Sequence, residues 1–377
     1  LSGFDILKSV GVKRTPRVMQ MEGIFDVAPS QRSEEHWVGT LPLEDRDWNI
    51  GLIVGPSGCG KTTIAQEVFG DAVHSGFAWD DNRSILDGFP KGMGIKEITE
   101  LLSSVGFSSP PLWLRPFHVL STGQQMRVNV ARLLAENKTL SVMDEFTSVV
   151  DRTVAQIGSA AIAKTVRKRG QKFIAVTCHY DVQEWLQPDW VYQPHTNEFL
   201  WRFQGKRPDI RLEISRVHHS AWELFRQYHY LDQNHAKAAR YFVAFLNGDP
   251  VAMQAVIVSP HPRVRNLYRG HRAVCLPDYQ GVGIGNALIT FVASAYRGLG
   301  KRILSTTASP ALNISRIKDP RWVCRLAPHL ARMEGRHSTI GASQNRHYAT
   351  NRMTTTWEYV GPAMDKKDAE SLVYGHH

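Results

Sequence analysis

The stretch Trp48-Asn-Ile-Gly-Leu-Ile-Val54 runs directly into Gly55-Pro56-Ser57-Gly58-Cys59-Gly60-Lys61-Thr62-Thr63, and this join decides the fold of the first half of the chain. The apolar run reads as a strand buried on both faces, and residues 61 to 69 read as a helix. The turn between them matches G-x-x-x-x-G-K-[ST], and strand, glycine turn and helix is the setting in which that spacing makes a phosphate site. Glycines let the backbone fold round an anion, and N–H groups at the helix start point at it. Lys61 neutralises phosphate oxygens and Thr62 offers a hydroxyl to Mg2+. All nine residues from Gly55 to Thr63 are therefore expected to hold a nucleotide.

Working outward, Leu140–Met143 and residues 173 to 177 are short apolar runs of buried-strand type, separated by a helical segment from about 153 to 168. Helices are expected over 95–106 and 124–137, and short strands within residues 1 to 47. Alternating strands and helices imply an α/β domain with a parallel sheet. Asp144 and Glu145 end the strand at 140–143, where Asp144 is placed to hold the metal and Glu145 to polarise an attacking water. Between these motifs, Leu120-Ser121-Thr122-Gly123-Gln124-Gln125 opens a helix, with Ser121 able to cap it and Gly123 permitting close backbone approach.

This last segment resembles the LSGGQ signature of ATP-binding-cassette (ABC) ATPases. Ser148-Val-Val-Asp151 resembles their D-loop, and His179 in VTCHYD their switch histidine. Order and spacing agree over roughly residues 20 to 200. The resemblance implies ATP and Mg2+ as cofactors, and a head-to-tail homodimer in which Ser121, Gly123, Gln124 and Asp151 complete the partner's ATP site. Two positions depart from the pattern. Thr122 replaces a signature glycine, and no glutamine lies between Ala72 and Val119, so Asp80, Asp81 and Asp87 are candidates for the Q-loop role. Trp37 and Phe25 are both candidates for stacking on adenine.

Charge separates the two halves. Residues 1 to 205 carry 21 basic and 23 acidic side chains, whereas 206 to 377 carry 24 basic and 12 acidic, a net of +12. Eighteen of those 24 are Arg, whose planar fork suits phosphate, so nucleic acid is an expected partner of the second half. The sign changes across the polar segment RFQGKRPDIR at 202–211, which sets the expected domains at 1–205 and 206–377. In the second half a helix is expected over 220–229, strands over 240–246, 251–258, 271–276, 301–307 and 354–360, and a helix over 285–297.

Within it, Pro277-Asp278-Tyr279-Gln280-Gly281-Val282-Gly283-Ile284-Gly285 follows an apolar strand and opens an apolar helix, a second anion cradle. This segment resembles the coenzyme A pyrophosphate loop of the GNAT acyltransferases. The resemblance implies acetyl-CoA or another acyl-CoA as cofactor, held by Gln280, Gly281, Val282, Gly283, Ile284 and Gly285, with Asn313 near the coenzyme or substrate. It also implies an oxyanion-stabilising N–H, expected from Val274 to Leu276. A dinucleotide-binding fold is the competing reading of the glycines. Tyr228-His229-Tyr230 is the densest titratable cluster near the start of this domain, which makes His229 and Tyr230 candidate catalytic groups. The same segment resembles the Mom-type DNA base modification proteins of bacteriophages. Asp278, Asp319 and Tyr348 are further candidates.

The expected fold class is thus an α/β P-loop NTPase of ABC type followed by a mixed α/β GNAT domain. The expected function is ATP-driven N-acylation of nucleic acid bases. The alternatives are acylation of protein or a small molecule under ATP control, and a nucleic-acid clamp with a silent GNAT module. No stretch approaches the roughly 20 apolar residues of a membrane span, and no signal-type sequence opens the chain, so a soluble cytoplasmic protein without membrane contact is expected. Cys59, Cys178, Cys275 and Cys324 form no Cys-x-x-Cys pair and are expected to be reduced thiols.

Overall fold

Ile50–Val54 is buried at every residue, as a strand must be when both faces of its sheet are covered. In the computed structural model, residues 2–26, 32–137, 139–201, 205, 207–229, 236–330 and 353–375 are described. The chain divides into two compact units, residues 1–105 with 115–208, and residues 106–114 with 209–377.

The first unit opens with β1 (Ser2–Gly11), α1 (Pro16–Phe25) and β2 (Arg32–Leu41). β1 and β2 pair antiparallel along their whole length. Two ten-residue strands replace the short strands expected here. The run Ser33-Glu-Glu-His keeps largely to solvent, so β2 lacks the apolar alternation by which a strand is recognised. Next come β3 (Ile50–Val54), α2 (Lys61–Phe69), β4 (Val73–His74) and α3 (Ile95–Ser104). α4 (Pro110–Trp113) falls with the second unit. The first unit resumes with α5 (Thr122–Glu136), β5 (Leu140–Met143), α6 (Arg152–Arg169), β6 (Lys172–Thr177), α7 (Val182–Leu186), β7 (Trp190–Gln193) and β8 (Glu198–Trp201). Its sheet runs β4-β5-β6-β3-β7-β8, parallel except for β8. Phe4, Ile6 and Leu41 from the hairpin join Trp48, Ile53, Ile64 and Trp190 in one core. The Trp190 ring fills the space above Gly51, where a Cβ would come within 2.1 Å of it.

The second unit contains β9 (Glu213–Val217), α8 (Trp222–Phe225), β10 (Arg240–Leu246), β11 (Asp249–Val258), β12 (Leu267–Cys275) and α9 (Ile284–Gly298). β13 (Arg302–Thr307), α10 (Pro310–Ile317), β14 (Trp322–Leu330), β15 (Met353–Tyr359) and α11 (Lys366–Tyr374) complete it. Its sheet runs β14-β15-β13-β12-β11-β10-β9, and β12 with β13 is the one parallel pair among the described strands. The helix expected over 220–229 is instead three short helical pieces, 219–221, 222–225 and 226–228. Trp222 and Phe225 bury fully, a stripe too short to hold a continuous amphipathic helix.

Two features of this sheet position a site. β12 and β13 pair at three residues only, 267–269 with 302–304, although each continues for several residues. In addition, Arg272 faces Ala255 and Gly270 faces Val256, which leaves His271 as a bulge residue where the strands begin to part.

At the other edge of β13 the Glu358 carboxylate is buried between Arg302, at 2.7 and 2.9 Å, and Arg325, at 2.6 Å. The Arg302 hydrogen bonds, helped by Arg325, hold its carboxyl below the ordinary 4.5 against the opposing effect of burial. A depressed folded-state value adds stability above the unfolded value, and the gain is lost as pH falls through the folded one. Glu358→Gln is therefore expected to cost about 2 kcal/mol near pH 7. Urea titrations at pH 7 and pH 3 check this, since the gap between wild type and variant should narrow at the lower pH.

Candidate functional site

The glycine turn after β3 takes the shape its residues require. Gly58 and Gly60 have φ of 81° and 86°, the left-handed region, and Gly60 caps α2 with its backbone alone. N–H groups at the start of α2 thus stay available to an anion. The Lys61 ammonium donates to the Pro56 carbonyl at 2.8 Å, and the Thr62 hydroxyl donates to Asp144 at 2.8 Å. Asp144 is 7% exposed and also accepts the Glu145 N–H. Glu145 is exposed with φ of 51°, a left-handed value uncommon for a residue with a side chain.

A cavity of 320 Å³ collects these groups: Ser57, Gly58, Gly60, Lys61, Thr62, Thr63, Asp144 and Glu145 line it, with Trp37, Ser148 and Cys178. Of the two aromatic candidates, Trp37 stands here and packs on Gly60, where a Cβ would come within 2.4 Å of the indole. Phe25 is exposed on α1 and does not line the cavity. A hydroxyl and a carboxylate in contact are the hard oxygen donors that Mg2+ prefers, so the residues present fit that ion.

The other predicted groups lie elsewhere. Ser121 caps α5 through a capping box in which Gln124 N–H donates to its hydroxyl, at 3.4 Å, and the Ser121 N–H donates to the Gln124 carboxamide, at 3.2 Å. Gly123 is buried in the first turn of α5. Asp151 caps α6, accepting from the N–H groups of Thr153 and Val154. His179 is half-buried next to Cys178, and its N–H donates to the Thr177 hydroxyl. None of these residues lines the cavity of its own chain, nor do Asp80, Asp81 or Asp87. Asp80 pairs with Arg83 and Asp81 with His118.

In the second unit the turn before α9 repeats the backbone of the first. Gly281 and Gly283 have φ of 94° and 96°, and Gly283 caps α9 without a side chain. A Cβ on Gly283 would meet nothing within 4 Å, which leaves open space at the helix start. This fits a pyrophosphate, with Val282, Ile284 and Gly285 contributing backbone. The Gln280 carboxamide is committed within the protein. It donates to the Cys275 carbonyl at 2.8 Å and accepts the N–H of Ser108, from the segment that folds with this unit.

Asn313 accepts from the Trp357 indole at 2.9 Å. The Leu276 N–H is spent on the Val251 carbonyl, and β12 is unpaired with β13 from Gly270 onward. The bulge at His271 lies in the pairing with β11, and a bulge leaves no mark in the residue pattern. His229 is 7% exposed, packed edge-on to Trp222 with ring centres 5.5 Å apart. Tyr230 and Tyr348 lie outside the described residues. Asp319 is held ionised by hydrogen bonds from Arg321, which pull its carboxyl below the ordinary range.

The sequence reading missed Arg316 and Gln254. Arg316 is 1% exposed on α10, and burial pushes its guanidinium down to about 10. Gln254 is 2% exposed on β11. Gln254 was detectable as the lone polar residue in the run Val251-Ala-Met-Gln-Ala-Val-Ile-Val258, whereas Arg316 lies in a helix that was not foreseen.

The family model described as Acetyltransferase (GNAT) family matches residues 180–318. The chain is thus similar to GNAT acetyltransferases over part of its length. An Fe(3+) ions import ATP-binding protein of Mesorhizobium japonicum is 32% identical over 166 residues, 33% of this chain and 44% of that protein. A spermidine/putrescine import ATP-binding protein of Pseudomonas fluorescens is 23% identical over 47% of this chain and 62% of its own. The chain thus spans about half the length of these relatives. Among solved structures, an IAA acetyltransferase from Bacillus cereus is 12% identical with a TM-score of 0.30, covering 40% of this chain and 99% of that one.

Trp37 supplies a test of the first site. Base–aromatic stacking is worth about 1–3 kcal/mol, so Trp37→Ala is expected to weaken ATP binding about tenfold and tripolyphosphate binding little. Isothermal titration with both ligands checks this, and equal weakening of the two would assign Trp37 to shaping the loop instead.

Proposed function

We propose that this chain hydrolyses ATP and transfers an acyl group from coenzyme A to a nitrogen of a nucleic acid base, with an ATPase domain over 1–205 and an acyltransferase domain over 206–377. One observation carries the reading: each unit sets a left-handed glycine at the start of a helix behind a strand, beside a different set of reactive groups.

In the first unit, Thr62 and Asp144 would hold Mg2+, which when bound neutralises phosphate oxygens. Lys61 leaves Pro56 for the phosphates, and Glu145 accepts a hydrogen bond from the attacking water. Ser121, Gly123, Gln124 and Asp151 do not reach their own cavity, which supports their acting on a second copy in a head-to-tail dimer.

In the second unit, the turn from Gly281 to Gly285 orients the coenzyme and the parted strand edge polarises the thioester carbonyl. The carbonyl carbon bonds to the acceptor nitrogen, the carbon–sulfur bond breaks, and the nitrogen's proton passes by way of a base to the leaving thiolate. His229 is the proposed base.

The net charge of +12 over residues 206 to 377 and the resemblance of Tyr228-His229-Tyr230 to phage base modification proteins support nucleic acid as acceptor. A duplex hides base nitrogens, so ATP-dependent strain on the polymer would help expose them.

The test is transfer of radiolabel from acetyl-CoA into DNA, RNA and protein with and without ATP, beside Glu145→Gln. Nuclease-sensitive label that needs ATP and falls at least tenfold in the variant is the expected result. Label confined to protein, or none despite ATP turnover, would overturn it.

A further inference from the structure

The sheet face under α10 carries a buried cation that no carboxylate touches among the described residues. Ser305 and Trp357 are register partners and share a face; Asn313 binds Trp357, and Arg316, one turn later, donates to the Ser305 hydroxyl at 2.9 Å. Arg316 also reaches the Ser305 carbonyl, at 3.4 Å, and its guanidinium lies 4.3 Å from the Trp322 ring centre. Its Nε has no hydrogen-bond partner among the described residues. Asp319, whose charge acts on Arg316 without touching it, is hydrogen-bonded to Arg321. A guanidinium taken out of water without a carboxylate bound directly to it is costly, and an anion brought to it relieves that cost.

This cation stands where the two parallel strands separate. Ser305 is the first residue of β13 beyond the paired stretch, and Gly270 the first of β12. A Cβ on Gly270 would lie 3.5 Å from the Gln254 carboxamide nitrogen and 4.0 Å from the Ser305 hydroxyl. Gln254, Ser305 and Arg316 are therefore linked round the opening, each less than a tenth exposed. The Gln254 carboxamide oxygen likewise has no partner among the described residues. A pocket for acetyl alone would need only apolar walls, whereas these groups are donors and an orphaned acceptor, on a carboxamide that can turn either end inward.

We propose that the opening between β12 and β13 selects an acyl group ending in a carboxylate, received by Arg316 and Ser305 with Gln254 as a further donor. The proposal rests on the acyl-CoA reading above and narrows its donor to thioesters of dicarboxylic acids. Arg316 and Gln254 would act by binding the acyl chain, as specificity residues.

Titration calorimetry of the full chain with free CoA, butyryl-CoA and succinyl-CoA tests it, because the last two share a four-carbon chain and differ in the carboxylate. Succinyl-CoA is expected to bind at least tenfold tighter than butyryl-CoA. Arg316→Gln should bring that ratio close to one, and Ser305→Ala should lower it; a ratio within one preparation is insensitive to loss of folded protein. Butyryl-CoA binding as tightly as succinyl-CoA to the unaltered chain overturns the carboxylate preference alone. Failure of free CoA and both thioesters to bind overturns the acyl-CoA reading and this proposal with it.

Discussion

The first N–H groups of a helix have no partner inside the helix, and this chain uses that constraint twice. Gly60, at φ 86° and ψ 10°, and Gly283, at φ 96° and ψ 7°, occupy nearly the same backbone conformation at the start of α2 and α9. Each stands two residues after another left-handed glycine, Gly58 or Gly281. A side chain at such a position is strained whatever the space, and a capping side chain would occupy the N–H groups that an anion needs. The contrast lies within the same chain: α5 and α6 are capped by Ser121 and Asp151.

The two turns differ in what stands beside them. The first faces a buried carboxylate, Asp144, brought by β5, the next strand but one in the same sheet, and an exposed one, Glu145. The second faces a mixed sheet whose one parallel pair among the described strands comes apart after three residues. A parallel sheet brings the ends of its strands to one edge, where polar groups gather. A parted pair exposes backbone and the side chains just beneath it, which here are Ser305 and Gln254.

Most of the elements were legible in the residues because they are periodic and bounded by turn signals. The segments 61–69, 140–143 and 240–246 were read with the boundaries the structure shows. The hairpin of β1 and β2 was not, since one face is solvated and carries charge, and α10 was not, because its eight residues are too few to display a period. The phosphate loop was readable because a local turn is encoded locally. The parting of β12 from β13, the bulge at His271 and the isolation of Arg316 depend on pairing across the sheet, which no single stretch of sequence records.

Binding of two chemically distinct phosphate ligands at the two glycine turns is the central claim, and calorimetry on paired variants tests it most directly. Lys61→Ala should abolish measurable MgATP binding and leave acetyl-CoA binding detectable, whereas Gly283→Val should do the reverse. Loss of both ligands in either variant, or of neither, would contradict the account.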